Sequence, residues 1–270
     1  MITFFPQREI ALSLAGFDIR WYGLMYLLAF LLTWYFLPRL SQRHQLRLNS
    51  DQWLMVLAAG MMGVLLGGRL GYVLLYEPAF YWQQPLKSFA IHEGGMAFHG
   101  GIVGVALALW LMSRRYQVSL LALLDVVVIP AALGLFLGRI GNFINQELYG
   151  TATTLPWGIM IPGVPLPRHP VQLYAAGKDL LIATLCSWYF FRSPRYVPGR
   201  TTALFLISYG VLRFFLGFFR EIDGVSLVLG TVTIGEGQLL SLPLIGVGSW
   251  LYFSVRGRRS LQPSGYEEGN

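Results

Sequence analysis

The chain has little of what usually identifies a soluble enzyme. Only 12% of its 270 residues are charged, about half the share of an average soluble domain. That is too few to cover a water-facing surface of ordinary size. The single cysteine, Cys186, excludes an internal disulfide and a cysteine-built metal cluster. The four histidines, His44, His92, His99 and His169, make no HExxH pair, and no P-loop or GxGxxG turn stands at a strand-to-helix junction. Metal-hydrolase and nucleotide readings therefore start without support. Acidic residues are few as well, 13 against 20 lysines and arginines, for a net charge of +7. In a soluble protein that excess would suggest nucleic acid; here it sits in the loops between apolar runs and bears on topology instead.

What is abundant is hydrophobicity, at 55% of residues. Apolar runs close to the ~20 residues that cross a bilayer lie at about 21–38, 53–76, 95–113, 120–139, 172–191, 202–219 and 237–255. The first has no short apolar core followed by a small-residue cleavage site, so it is expected to be a retained span. The predicted fold is an all-α polytopic membrane protein of about seven transmembrane helices, a single membrane-embedded domain over 1–270. Arg39, Arg43 and Arg47, Arg114 and Arg115, Arg192, Arg195 and Arg200, and Arg256, Arg258 and Arg259 follow alternate spans. The positive-inside rule then places the N-terminus outside and the C-terminus in the cytoplasm.

External segments are expected at about 1–20, 77–94, 143–171 and 220–236, with a cytoplasmic tail at about 256–270. Phe4, Phe5, Ile10, Leu12, Leu14 and Phe17 suit an amphipathic interfacial element. Tyr81 and Trp82 suit the aromatic belt. Pro156, Pro162, Pro165, Pro167 and Pro170 exclude regular helix from the third segment, which reads as a small rigid external cap.

The chemistry concentrates at residues 138–150, GRIGNFINQELYG. Here Arg139, Asn142, Asn145, Gln146 and Glu147 follow a continuous apolar stretch, and hydrocarbon cannot compensate their desolvation. They must face a cavity, one another or a polar substrate. On a helix Arg139 and Asn142, and Asn142 and Gln146, share one face, while Gly138, Gly141 and Gly150 allow close approach. A charged lipid headgroup fits such a site. In span six Tyr209 and Arg213 are four apart, and Arg220 follows seven later on nearly the same face. Arginines converging there would grip a phosphodiester and stabilise charge on a departing phosphate. His99, flanked by Gly100 and Gly101, is a candidate proton acceptor. Each arginine also has a bland reading, snorkelling to the interface, as has Arg69 of span two. Asp125 reads as reaching the interface or capping a helix, and Lys178 with Asp179 as a local neutralising pair or as snorkelling to the interface.

These segments, with Trp21-Tyr22-Gly23-Leu24-Met25-Tyr26, Phe98-His99-Gly100-Gly101, Arg168-His169-Pro170-Val171-Gln172-Leu173-Tyr174 and Tyr209-Gly210 with Arg213, resemble the prolipoprotein diacylglyceryl transferases over most of the chain. The resemblance implies an enzyme of the bacterial inner membrane, with its active site toward the external leaflet. It would move the diacylglyceryl group of phosphatidylglycerol to the lipobox cysteine of a prolipoprotein, without metal or other cofactor and without nucleic acid. His99, Arg139 and Arg213 would be catalytic. Tyr26, Gly100, Gly101, Asn142, Asn145, Glu147, Gly150, Gln172, Tyr209 and Arg220 would bind substrate. Gly217 and Ala175 stand where the family usually has glutamate, and Glu221, Asp223 and Glu236 are nearby carboxylates able to replace that charge. A lipid-binding relative without turnover and a lipid or anion transporter are the alternative classes.

Overall fold

In the computed structural model, residues 10–14, 17–43, 46–90, 94–193, 196–221, 226–229 and 232–255 are described. The predicted spans all form helices: α1 Trp21–Arg43, α2 Ser50–Leu75, α4 Phe98–Arg115, α5 Leu120–Ile144, α6 Val171–Arg192, α7 Arg200–Leu216 and α9 Ser241–Ser254. A short helix, α3 Pro78–Gln83, and a 3-10 turn at Pro85–Phe89 follow α2; α8 Glu236–Leu239 precedes α9. Among the described residues four helices, in α1, α2, α5 and α7, are long and apolar enough to cross a membrane. The protein is thus a helical membrane protein. α6 carries Lys178, Asp179 and Arg192 within its length, and α9 is only 14 residues long.

Two short ribbons accompany the helices. Strands β1 Ile10–Leu14 and β2 Phe17–Arg20 form an antiparallel hairpin in the N-terminal segment, with Ser13 Oγ donating to Asp18 Oδ1 at 2.6 Å. Strands β3 Ser226–Leu229 and β4 Val232–Gly235 form another between α7 and α8. Outside the apolar spans, alternating and β-branched residues are free to pair as ribbons. Phe4, Phe5, Asp223 and the tail at 256–270 lie outside the described residues.

Two compact units divide the chain, one of residues 34–124 and one of residues 1–33 with 125–270. No linker separates them in sequence, since α1 and α5 each run from one into the other.

In the 34–124 unit, α2 starts with a reciprocal cap: Asn49 Oδ1 accepts from Gln52 N at 2.8 Å, and Gln52 Oε1 accepts from Asn49 N at 2.9 Å. Glycines then bring α2 and α4 into backbone contact. A Cβ on Gly104 would fall on the Gly63 carbonyl and 2.9 Å from Gly67 Cα, and one on Gly71 would lie 2.8 Å from Gly100 Cα. This is the small-residue crossing by which helices associate in lipid. Arg69, only 4% exposed, does not snorkel. Its guanidinium donates to the carbonyls of Ser88 at 2.8 Å, Lys87 at 2.6 Å and Gly95 at 3.1 Å, and to Gly94, so it ties down the segment after α2. Tyr81 packs beneath it, 5.2 Å from guanidinium to ring centre, and is buried, contrary to the belt role expected for it. Trp82, 89% exposed, keeps that role open.

In the other unit, Asp125 is wholly buried in α5 and caps α7 from outside. It accepts from Gly199 N at 2.8 Å, Thr202 N at 2.7 Å and Thr202 Oγ1 at 2.6 Å. These are the amides a helix start leaves unpaired. Burial against Asp125 pushes the Tyr196 phenol well above its usual range, so it stays a neutral donor. Asp125→Ala is expected to lower stability by about 2–4 kcal/mol, because buried N–H groups lose their acceptor. A clear fall in the detergent melting temperature checks this; an unchanged melt would mean that the cap is dispensable.

Candidate functional site

The 138–150 run folds as a helix end that turns back on itself. α5 continues to Ile144, so Arg139 and Asn142 stand on its last turns. Gln146 then takes a left-handed conformation, φ 59°. Gln146 N bonds the Phe143 carbonyl at 3.2 Å and Glu147 N the Asn142 carbonyl at 3.1 Å, the paired bonds of a Schellman end built without glycine. The reversal brings Glu147 onto the helix it has just left. Asn142 Nδ2 donates to Glu147 Oε1 at 2.6 Å, and Arg139 Nη1 donates to Asn142 Oδ1 at 3.3 Å. Asn142 is 5% exposed, and the chain Arg139–Asn142–Glu147 fixes the guanidinium from one side.

Three neighbours hold that turn. Gln172, at the start of α6, donates from Nε2 to the Glu147 carbonyl at 2.7 Å. Gly150 N bonds the His169 carbonyl at 3.0 Å, and a Cβ there would lie 2.9 Å from His169 Cβ and closer still to Val171 and the Phe219 carbonyl, so only glycine fits. On α1, Tyr22 abuts Gly141, whose Cβ would meet its ring at 2.8 Å. Tyr22 and Tyr26 place their hydroxyls 3.4 Å apart with edge-to-face rings. Tyr26 is in electrostatic reach of Arg139 and Glu147. Asn145 Oδ1 and Gln146 Nε2 are buried atoms without a hydrogen-bond partner, an acceptor and a donor beside the turn.

α7 supplies the second arginine. Tyr209 and Arg213 lie one turn apart, and Tyr209 hydrogen-bonds Arg139. Arg213 is in electrostatic reach of Arg139, Tyr209 and Asp179. Arg220 does not continue the stripe. α7 stops at Leu216, tightens to a 3-10 turn over Gly217–Phe219, and Arg220 follows in extended backbone bridged to Gly150. Helical phasing ends before it, so its alignment with Arg213 is lost.

The departures from glutamate acquire a physical setting. A Cβ on Gly217 would run into the Gln238 side chain, 2.7 Å from its Cδ; Gln238 is buried, its Oε1 accepting from Gly235 N at 3.0 Å and its Nε2 donating to the Phe214 carbonyl at 3.3 Å. Of the carboxylates expected as substitutes, Glu221 pairs with Arg168 and Glu236 is exposed at the start of α8. Asp179, expected to pair with Lys178, is also in electrostatic reach of Arg139 and Arg213. The signal was two opposite charges adjacent in the middle of an apolar run.

His169 is buried, its Nδ1 3.2 Å from the Tyr174 hydroxyl, which also accepts from Trp157 Nε1 at 2.7 Å. The proline-rich segment is closed over itself by bridges Ala152↔Arg168 and Ile159↔Arg168, with no regular helix, as expected for it. His99, Gly100 and Gly101 belong to the 34–124 unit, His99 half-buried in the first turn of α4 and Gly100 inside the crossing with α2. A groove lined by Leu133, Leu180, Trp188, Phe191 and Arg192, among others, offers one ionisable group and no acid–base pair.

Fold and site define a helical membrane protein that gathers two arginines, tyrosines and an amide–carboxylate relay in one polar cluster. A family model described as prolipoprotein diacylglyceryl transferase matches residues 9–254. A Nitrosomonas europaea protein named phosphatidylglycerol–prolipoprotein diacylglyceryl transferase is 45% identical over 256 residues, 93% of this chain and 91% of its own length. Proteins of the same name from Nitratidesulfovibrio vulgaris and Legionella pneumophila are 43% and 40% identical, across 93% and 95% of this chain and 95% and 100% of theirs. The chain belongs to the prolipoprotein diacylglyceryl transferase family.

Proposed function

We propose that the protein transfers the diacylglyceryl group of phosphatidylglycerol to the cysteine thiol of a prolipoprotein lipobox, releasing glycerol 1-phosphate. The observation that carries this reading is the convergence of Arg139, locked by Asn142 and Glu147, with Arg213 and Tyr209 within one unit of a membrane protein of this family. Sulfur attacks the glycerol carbon that bears the phosphate. The C–S bond forms, the C–O bond breaks, and its electron pair leaves on the phosphate oxygen, where the guanidinium groups meet the growing charge. The thiol gives up its proton to a base. His99 is the candidate on its chemistry, and His99→Gln should then slow transfer while leaving lipid binding intact. Tyr26, Asn145, Glu147, Gln172 and Gly150 shape and orient the headgroup site; Gly100, Gly101 and Arg220 belong to the proposed substrate-binding set on the resemblance alone.

The proposed arrangement has seven spans, the N-terminus outside and the cytoplasmic arginines at alternate helix ends, in the bacterial inner membrane with the site toward the external leaflet. Asp179 supplies a carboxylate near the arginines despite Gly217 and Ala175, which favours a working transferase over a relative that only binds lipid. The test is incubation of purified protein with phosphatidylglycerol and a lipobox peptide, following peptide mass and glycerol phosphate together. A diacylglyceryl mass gain with equal phosphate release is expected. Flux of lipid across vesicles without product would place the protein among transporters instead.

A further inference from the structure

Lys178 and Asp179 are adjacent on α6, and side chains one residue apart on a helix point to different faces. Here the lysine folds across, and its Nζ hydrogen-bonds Asp179 Oδ1. Both are buried, 7% and 1% exposed. The ammonium also sits 3.8 Å from the ring centre of Tyr209, the residue that hydrogen-bonds Arg139. Each member of the pair is in electrostatic reach of Arg139 and Arg213. A pair serving only to neutralise itself has no need of the tyrosine face or of two guanidinium groups within electrostatic reach. Ionised, the cluster holds three cations, Arg139, Arg213 and Lys178, against two carboxylates, Asp179 and Glu147. One positive charge is left over, which matches one phosphodiester anion.

Resting on the transferase reading above, we infer that Lys178 is a third cation of the phosphate site and Asp179 its counterweight, the pair setting how strongly the site holds a phosphodiester headgroup and the phosphate monoester it leaves. Tyr209 carries the link: its ring holds the ammonium while its hydroxyl side engages Arg139. Asp179 prevents three cations from repelling one another in the empty site and limits retention of the more highly charged product.

The two residues therefore act on anions with opposite sign. Lys178→Gln leaves Asp179 facing the arginines and is expected to weaken binding of glycerol 1-phosphate about tenfold; Asp179→Asn leaves the third cation uncompensated and is expected to tighten it by a similar factor. The Lys178→Gln/Asp179→Asn double variant, neutral and nearly isosteric, should fall between them. Dissociation constants come from calorimetric titration of detergent-solubilised protein with glycerol 1-phosphate and, separately, inorganic phosphate, with a melting curve for each variant. Equal shifts for both ligands assign the effect to the phosphate, and shifts for glycerol 1-phosphate alone assign it to the headgroup as a whole. Folded single variants that move affinity in the same direction, or not at all, overturn the inference, and the double variant decides the matter if one single variant fails to fold. Titration needs no turnover, so the two readings fail separately: anion binding without lipidated peptide counts against the transferase, and unmoved affinities in variants of an active enzyme count against the Lys178–Asp179 role.

Discussion

Replacing Arg139 by alanine is expected to lower kcat/KM for lipid transfer about 100- to 1,000-fold while leaving the melting temperature close to that of the parent. The magnitude follows from removing one fixed donor to charge that grows at the transition state. The small structural effect follows from the contacts: Arg139 meets Asn142 through one 3.3 Å bond and Tyr209 besides, whereas Asn142 keeps its 2.6 Å bond to Glu147 without it. Arg139→Lys should recover part of the loss, because an ammonium restores charge without the planar pair of donors that suits a phosphate. Assays with phosphatidylglycerol and a lipobox peptide, each variant beside its melting curve, read both quantities. Turnover near the parent level in Arg139→Ala would remove this residue from the reacting phosphate and move the site elsewhere.

The second large effect is on assembly. Gly104→Leu is expected to destabilise the 34–124 unit by upwards of about 3 kcal/mol, since its side chain must enter space held by the Gly63 carbonyl and the Gly67 backbone. Backbone cannot step aside as a side-chain tip can, so α4 has to lift off α2. Gly60→Ala, one turn before Gly63 and with open space where its Cβ would stand, is the control. It should be neutral or slightly stabilising, as alanine is the better helix former. Yield and melting temperature of the two proteins in detergent make the comparison. Equal behaviour would mean that the crossing tolerates separation.

The two effects belong to different physics, and that difference also separates what is legible in the sequence from what is not. Spans are a property of local composition: hydrocarbon has no water to pair with backbone groups, so an apolar run of sufficient length must be helical. Each predicted run accordingly coincides with a helix to within a few residues at its ends. The β1–β2 and β3–β4 ribbons leave no such mark, because short ribbons outside the membrane depend on pairing between segments rather than on composition.

At the site, Arg139, Asn142 and Glu147 were legible because unpaired polar groups at the end of an apolar helix demand partners. Their order as a relay was not, because it arises from the left-handed turn at Gln146, a conformation that sequence patterns assign to glycine. Arg220 was misplaced for the same kind of reason. Heptad spacing aligns it with Arg213 only while the helix lasts, and α7 gives way to a 3-10 turn at Gly217. Depth and residue type do not place Arg69 and Tyr81, because Arg69 is held by carbonyls some 20 residues on in sequence and Tyr81 by the Arg69 guanidinium.

Composition and periodicity by themselves determined that this is a helical membrane protein, where its helices run and which polar run holds the chemistry, since those follow from the cost of polar groups in hydrocarbon. Only the tertiary structure decided which charges meet. Asp179 rather than Glu221 or Glu236 faces the arginines, Gln238 occupies the space beside Gly217, and Lys178 rests on Tyr209. Such choices depend on angles between helices far apart in sequence, and no local pattern encodes an angle.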